Sequence, residues 1–154
     1  MATAPASEPL LLDAADGDEI LANATDIFGY IDGDFKNWGA DEKGNATKMA
    51  PVDVYEMVKD GTYRTLFGSF NNDFDKLCLT QAQIKNFCVK HRDWLRTGGY
   101  ATFFAFKLKG KRFVAGVYFS SADKLRVYVY KFGYGRVWHA GHALRFVIPQ
   151  LAEA

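Results

Sequence analysis

Apolar residues recur along this chain with two different periods, and the change of period falls near residue 99. Upstream of that point, Ile84, Phe87, Cys88, His91 and Leu95 follow one another at spacings of three and four, with Trp94 beside them. That spacing makes one apolar stripe on a helix, while Lys85, Asn86, Lys90, Arg92, Asp93 and Arg96 fill the other faces. Thr80 and Gln83 have the spacing of a capping box, and Leu79 and Ile84 that of a hydrophobic staple. Gly98 and Gly99 follow the last turns, where a residue able to turn left-handed stops a helix. These signals predict one main helix over about 80–97.

Downstream the period is two. Segments 100–108, 112–119, 124–132, 136–139 and 143–148 are rich in aromatic and β-branched residues. Phe113, Ala115, Val117 and Phe119 alternate with their neighbours, as do Leu125, Val127 and Val129. Lys109-Gly110 suits a two-residue hairpin, and 120–123, 133–135 and Ala140-Gly141 suit further reversals. Connections this short join antiparallel neighbours. The expected fold class is therefore α+β: the main helix packed on a C-terminal antiparallel meander of four to five strands.

The first half is read as a cover with short N-terminal helices. One is predicted over 18–28, with Ile20, Leu21, Ala24, Ile27 and Phe28 inward; another runs over 52–59, opened by Pro51. Segment 32–47 reads as loop with Phe35 and Trp38 tucked in, and 62–70 as a strand or a short helix. Residues 1–9 are expected to be a flexible tail and 10–154 a single domain, a length sufficient for a real core.

Composition adds a compartment and a polarity. The start lacks the basic region and apolar core of a signal peptide, and no apolar run approaches ~18 residues, so a soluble, cytoplasmic protein without membrane contact is expected. Cys78 and Cys88 lie too far apart along a helical path to bridge and read as reduced thiols. Without a secretory signal, the sequons at Asn23 and Asn45 read as coincidence. The net charge of +1 hides a division. Residues 1–75 hold fifteen Asp/Glu against five Lys/Arg, a balance of −10; residues 76–154 hold three against fourteen, a balance of +11. Such a chain either binds an acidic partner or packs one half on the other.

The chemistry-bearing candidates follow from that division. Lys109, Lys111, Arg112, Lys124, Arg126 and Arg136 sit on or between the expected strands, interleaved with Tyr128 and Tyr130. Arg126, Tyr128 and Tyr130 share one strand face, opposite Val127 and Val129. Cations for anionic groups and rings for stacking suit an acidic protein partner or a single nucleic-acid strand. Lys109-Gly110 and Phe113-Val114 match part of an RNP1 signature, but Lys111 and Gly116 occupy its aromatic positions and no βαβ context surrounds it.

The remaining motifs argue against chemistry. His91 on the helix stripe reads as an imidazole bonded to a backbone carbonyl or a tyrosine, and a Cys88/His91 nucleophilic pair lacks a third, orienting group. His139 and His142 are too few for a zinc site. The carboxylates Asp13, Asp16, Asp18, Glu19, Asp32, Asp34, Asp41 and Glu42 fail the EF-hand spacing, since Lys36 and Lys43 take two of its positions. No phosphate loop, dinucleotide fingerprint, H-E-x-x-H or G-x-S-x-G occurs. The expected role is a non-catalytic binding, adaptor or assembly protein with no cofactor and no metal, its basic aromatic sheet facing an acidic partner or a second copy of itself. Single-stranded nucleic-acid binding is the alternative, and a small hydrolase or nuclease pairing a histidine with Asp or Glu the second alternative.

Overall fold

A computed structural model of the protein describes residues 2–3, 10–119 and 125–150. Its strands are β1 (Ala2–Thr3), β2 (Leu10–Leu12), β3 (Phe28–Ile31), β4 (Ala50–Glu56), β5 (Cys78–Leu79), β6 (Ala101–Leu108), β7 (Lys111–Phe119), β8 (Leu125–Lys131) and β9 (Arg145–Pro149). The α-helices are α1 (Asp34–Asn37), α2 (Tyr63–Gly68) and α3 (Gln81–Lys90). The strands make one mixed sheet in the order β1-β4-β9-β6-β7-β8-β3, with β2 also pairing β4 and β5 also pairing β6.

The antiparallel run β6–β7–β8 is the part of the expected meander that forms. Its first hairpin turns at Lys109 (φ 49°) and Gly110 (φ 77°), two left-handed residues as a tight primed turn requires. The α+β arrangement of a main helix on a C-terminal meander does not form. β9 does not follow β8 as a neighbour; it crosses back to lie parallel to β6 and antiparallel to β4. Residues 136–139 contribute only a bridge from Trp138 to Gly61. The reason lies in the apolar pattern. Ala101–Phe106, apolar but for Thr102, and Phe146–Ile148 are buried on both faces, so each strand needs a covered position inside a sheet rather than a half-wet place in a meander.

The N-terminal half supplies strands to that sheet. The helix expected over 52–59 is β4, where Val52 and Val54 alternate into the core and β9 pairs along Val52–Glu56. The helix expected over 18–28 is a 3-10 turn at Leu21–Asn23 followed by β3, which joins β8 in parallel. The 62–70 segment is helical: α2 is capped by the Thr62 hydroxyl, which accepts from Thr65 N. Of the expected tail, Ala2–Thr3 pair with Tyr55 and Glu56.

The main helix is shorter than its stripe. The capping box is present, with Gln83 N donating to Thr80 Oγ1 at 3.2 Å and Thr80 N donating to Gln83 Oε1 at 2.9 Å. The α-helix ends at His91 (φ −121°, ψ 38°), and Leu95, still buried, is extended. Competing partners take over there. His91 Nε2 donates to Leu11 O at 2.6 Å, Arg145 Nη1 to Trp94 O at 2.9 Å, and Arg96 N to Thr102 Oγ1 at 2.8 Å. The stripe therefore reports burial beyond the helix as well as within it.

Each face of the sheet has its own core. On one, Ile84, Phe87 and Cys88 of α3 meet Phe104, Phe106, Val127 and Val147. On the other, Tyr63, Leu66 and Phe67 of α2 meet Phe103, Phe132, Trp138 and Phe146. Gln81, buried at the start of α3, accepts from Leu21 N at 3.0 Å and donates to Ala40 O (3.0 Å) and Glu42 O (3.1 Å). One amide thus fastens two N-terminal loops to the helix. Phe35 is buried and Trp38 half-buried against the first core, as the sequence suggests.

Candidate functional site

The two charged halves meet as ion pairs. Lys109 reaches Glu42 at 2.7 Å, and Lys107 (2.9 Å) and Arg112 (2.7 Å) converge on Asp75. Lys85 lies between Glu19 (3.1 Å) and Asp26 (3.2 Å), Lys90 binds Asp13 at 2.8 Å, and Arg145 faces Glu56 at 3.7 Å. Hydrogen bonds from Lys107 and Arg112 hold the Asp75 carboxyl below its ordinary range, and Lys90 with Asn86 does the same for Asp13. Much of the basic hairpin of β6–β7 is thereby neutralised within the molecule. Lys124 lies outside the described residues.

The expected site residues divide accordingly. Lys109 and Arg112 are ion-paired, Arg112 also lying 5.7 Å over the Phe74 ring. Arg126 is exposed on β8, and Arg136 stacks over Trp138 at 4.3 Å; neither has a carboxylate partner among the described residues. Tyr128 and Tyr130 share the face carrying Arg126, but they are half-buried rather than an outer row. Tyr130 packs on the α2-side core, and its hydroxyl lies 2.8 Å from that of Tyr118.

Together they belong to a tyrosine row that crosses β3, β8 and β7. Tyr30 contacts Tyr128 at 5.2 Å, Tyr128 meets Tyr118 edge-on at 5.1 Å, and Tyr134 stacks on Tyr130 at 6.0 Å. Burial pushes the Tyr130 and Tyr118 hydroxyls upward, so both stay neutral at physiological pH. Tyr30 and Tyr134 remain exposed on this row. Tyr30 carries no site signal in the sequence, where it falls between the helix expected over 18–28 and the loop expected over 32–47. The parallel pairing of β3 with β8, which places it on the row, leaves no local signal.

A second basic feature assembles from distant segments. Arg64 of α2, Lys111 and Arg112 of β7 and Lys131 of β8 line a cleft of about 550 Å³ with Trp38. No period or spacing joins Arg64 and Trp38 to the strand residues.

The histidines and thiols are otherwise engaged. His139 Nδ1 lies 3.4 Å from Asp60, and His142 stacks on Tyr100 at 4.7 Å. Burial raises both thiols, Cys78 to about 11 and Cys88 further, away from the reactive thiolate form. Among the described residues no helix is long and apolar enough to cross a membrane. No protein-family model matches the chain, nor does any curated protein or solved structure match it.

Proposed function

We propose that this is a non-catalytic binding or adaptor protein, acting in the cytoplasm, whose tyrosine row and flanking arginines contact an acidic protein partner. One observation carries the reading. Lys107, Lys109 and Arg112 of the hairpin are cancelled by the chain's own carboxylates, whereas Arg126 and Arg136 stand beside exposed tyrosines with no carboxylate partner among the described residues. Tyrosine, tryptophan and arginine are the residues that concentrate binding energy at protein interfaces. The rings also favour a protein over a nucleic-acid strand. Tyr118 and Tyr128 meet edge to face, and Tyr118 spends its hydroxyl on Tyr130, whereas a stacking platform leaves ring faces free for bases.

The test is a binding screen of acidic, neutral and basic peptides on an array, with oligothymidylate alongside and sedimentation to detect self-association. Selection of acidic peptides by the wild type, lost in Arg126→Glu and in Tyr128→Ala, is the expected result. Charge-blind selection defeats the reading. So does salt-sensitive oligothymidylate binding without peptide binding.

A further inference from the structure

We propose that the basic cleft beside Trp38, together with an aromatic cleft adjoining it, is a binding site for a nucleoside phosphate. This goes beyond the protein-partner reading and does not depend on it. The first cleft is lined by Arg64, Lys111, Arg112 and Lys131 and by no carboxylate. Arg112 is committed to Asp75. Arg64, Lys111 and Lys131 have no carboxylate partner among the described residues. Ring faces hold two of them in place: Lys131 lies 5.0 Å over Trp38, and Arg64 lies 5.9 Å over Phe132. A ring positions a cation without cancelling its charge, so these groups keep their full attraction for an anion. Three such donors around a cleft of about 550 Å³ fit a phosphoryl group, which presents several acceptor oxygens at once.

The second cleft, about 660 Å³, shares Trp38, Lys131 and Gly133 with the first. Tyr130 and Tyr134 line it, their rings 7° from parallel. Its lining is chiefly apolar, and Asp32 and Asp34 stand at it. Asp32 is occupied: Oδ1 accepts from Asp34 N and Oδ2 from Val129 N. Asp34 accepts from the Asn37 side chain through Oδ1. These carboxylates repel an anion and attract hydroxyl or amino donors, so the pair of clefts has a direction. The phosphoryl end belongs among the cations, the flat ring and its hydroxyl-bearing sugar on the tyrosine side, and Trp38 with Lys131 forms the ridge between them. A nucleoside phosphate carries an anion, donor hydroxyls and a planar ring in that order.

Calorimetric titration of the full chain tests this with the four ribonucleoside triphosphates, their nucleosides, inorganic tripolyphosphate, a short single-stranded oligonucleotide and a phosphoserine peptide. At least one triphosphate is expected to bind roughly tenfold tighter than both its nucleoside and tripolyphosphate, because only it fills both clefts. Arg64→Ala and Lys131→Ala, both at exposed positions, are each expected to weaken it several-fold, and Arg126→Glu to leave it unchanged. Tighter binding of the oligonucleotide, equally sensitive to Arg64 and Lys131, assigns a strand's nucleotide as the source of the same chemistry. The proposal is overturned if tripolyphosphate or a nucleoside matches the best triphosphate, if the phosphoserine peptide exceeds it, if the two variants bind normally, or if nothing binds. Arg126→Glu and Tyr128→Ala report on the peptide surface and Arg64→Ala on the cleft, so either reading can fail without the other.

Discussion

Gly116 sits in the middle of β7 opposite Phe103 and Tyr128, and a Cβ built there comes within 2.9 Å of the Tyr130 ring and 3.3 Å of Phe103. Its value is the space it leaves, since its backbone is ordinary strand. Tyr130 needs that space to reach Tyr118 with its hydroxyl and Tyr134 with its ring. Gly116→Ala is therefore expected to destabilise the fold by about 1–3 kcal/mol through overpacking, despite alanine's better strand entropy. Denaturant unfolding reads this directly. An unchanged or raised midpoint would show that the rings shift freely and that the tyrosine row is loosely held. In the sequence this glycine is visible only as an interruption of an apolar strand. That it accommodates rings from neighbouring strands follows from register.

Gln81 plays the corresponding part for an element. It sits in the first turn of α3, and its amide satisfies backbone groups of two loops that have no helix or sheet partner at those atoms. Gln81→Ala removes all three bonds at a buried position, and the expected loss is about 2–4 kcal/mol. The loops near Leu21 and Ala40–Glu42 should also exchange their amide hydrogens faster than the β6–β7 hairpin does. Uniform protection across the two regions would refute the role assigned to the amide. The capping box and the Lys109-Gly110 turn are legible in the sequence because each is complete within four residues. The helix end at His91 is not, because what stops it is the carbonyl of Leu11, eighty positions away.

On the scale of the whole molecule, the ion pairs between the acidic and basic halves predict the response to acid. Asp75 is held below its ordinary value of 3.8 by Lys107 and then Arg112, and Asp13 below the same value by Lys90 and then Asn86. A carboxyl depressed in the folded state binds fewer protons there than in the unfolded chain, so its contribution is complete above 3.8 and fades as pH falls through the lower folded value. Stability is expected to hold from neutrality down to about pH 4 and to fall below it, less steeply in Asp75→Asn. Thermal melts across that range measure it. A decline that begins near pH 6 would contradict the assignment. Because these pairs are solvent-exposed, each contributes little and weakens with salt, so they hold the halves in register more than they hold the fold together.

The sequence by itself determined what is local or compositional: α3 with its cap, the three strands of the β6–β8 meander with their first turn, the burial of Phe35, and the opposite charge of the two halves. Tertiary structure decided that 50–56 is strand rather than the helix read after Pro51: Val52 and Val54 stand two apart, a strand spacing that two residues state too weakly until β9 pairs beside them. It likewise decided that β9 enters the interior of the sheet, that Glu42 and Asp75 neutralise cations expected to be free, and that Arg64, Lys131 and Trp38 meet around one cleft. Spacing along a chain reports neighbours within a few residues. Strand order and charge cancellation join positions dozens of residues apart, where no local period carries information.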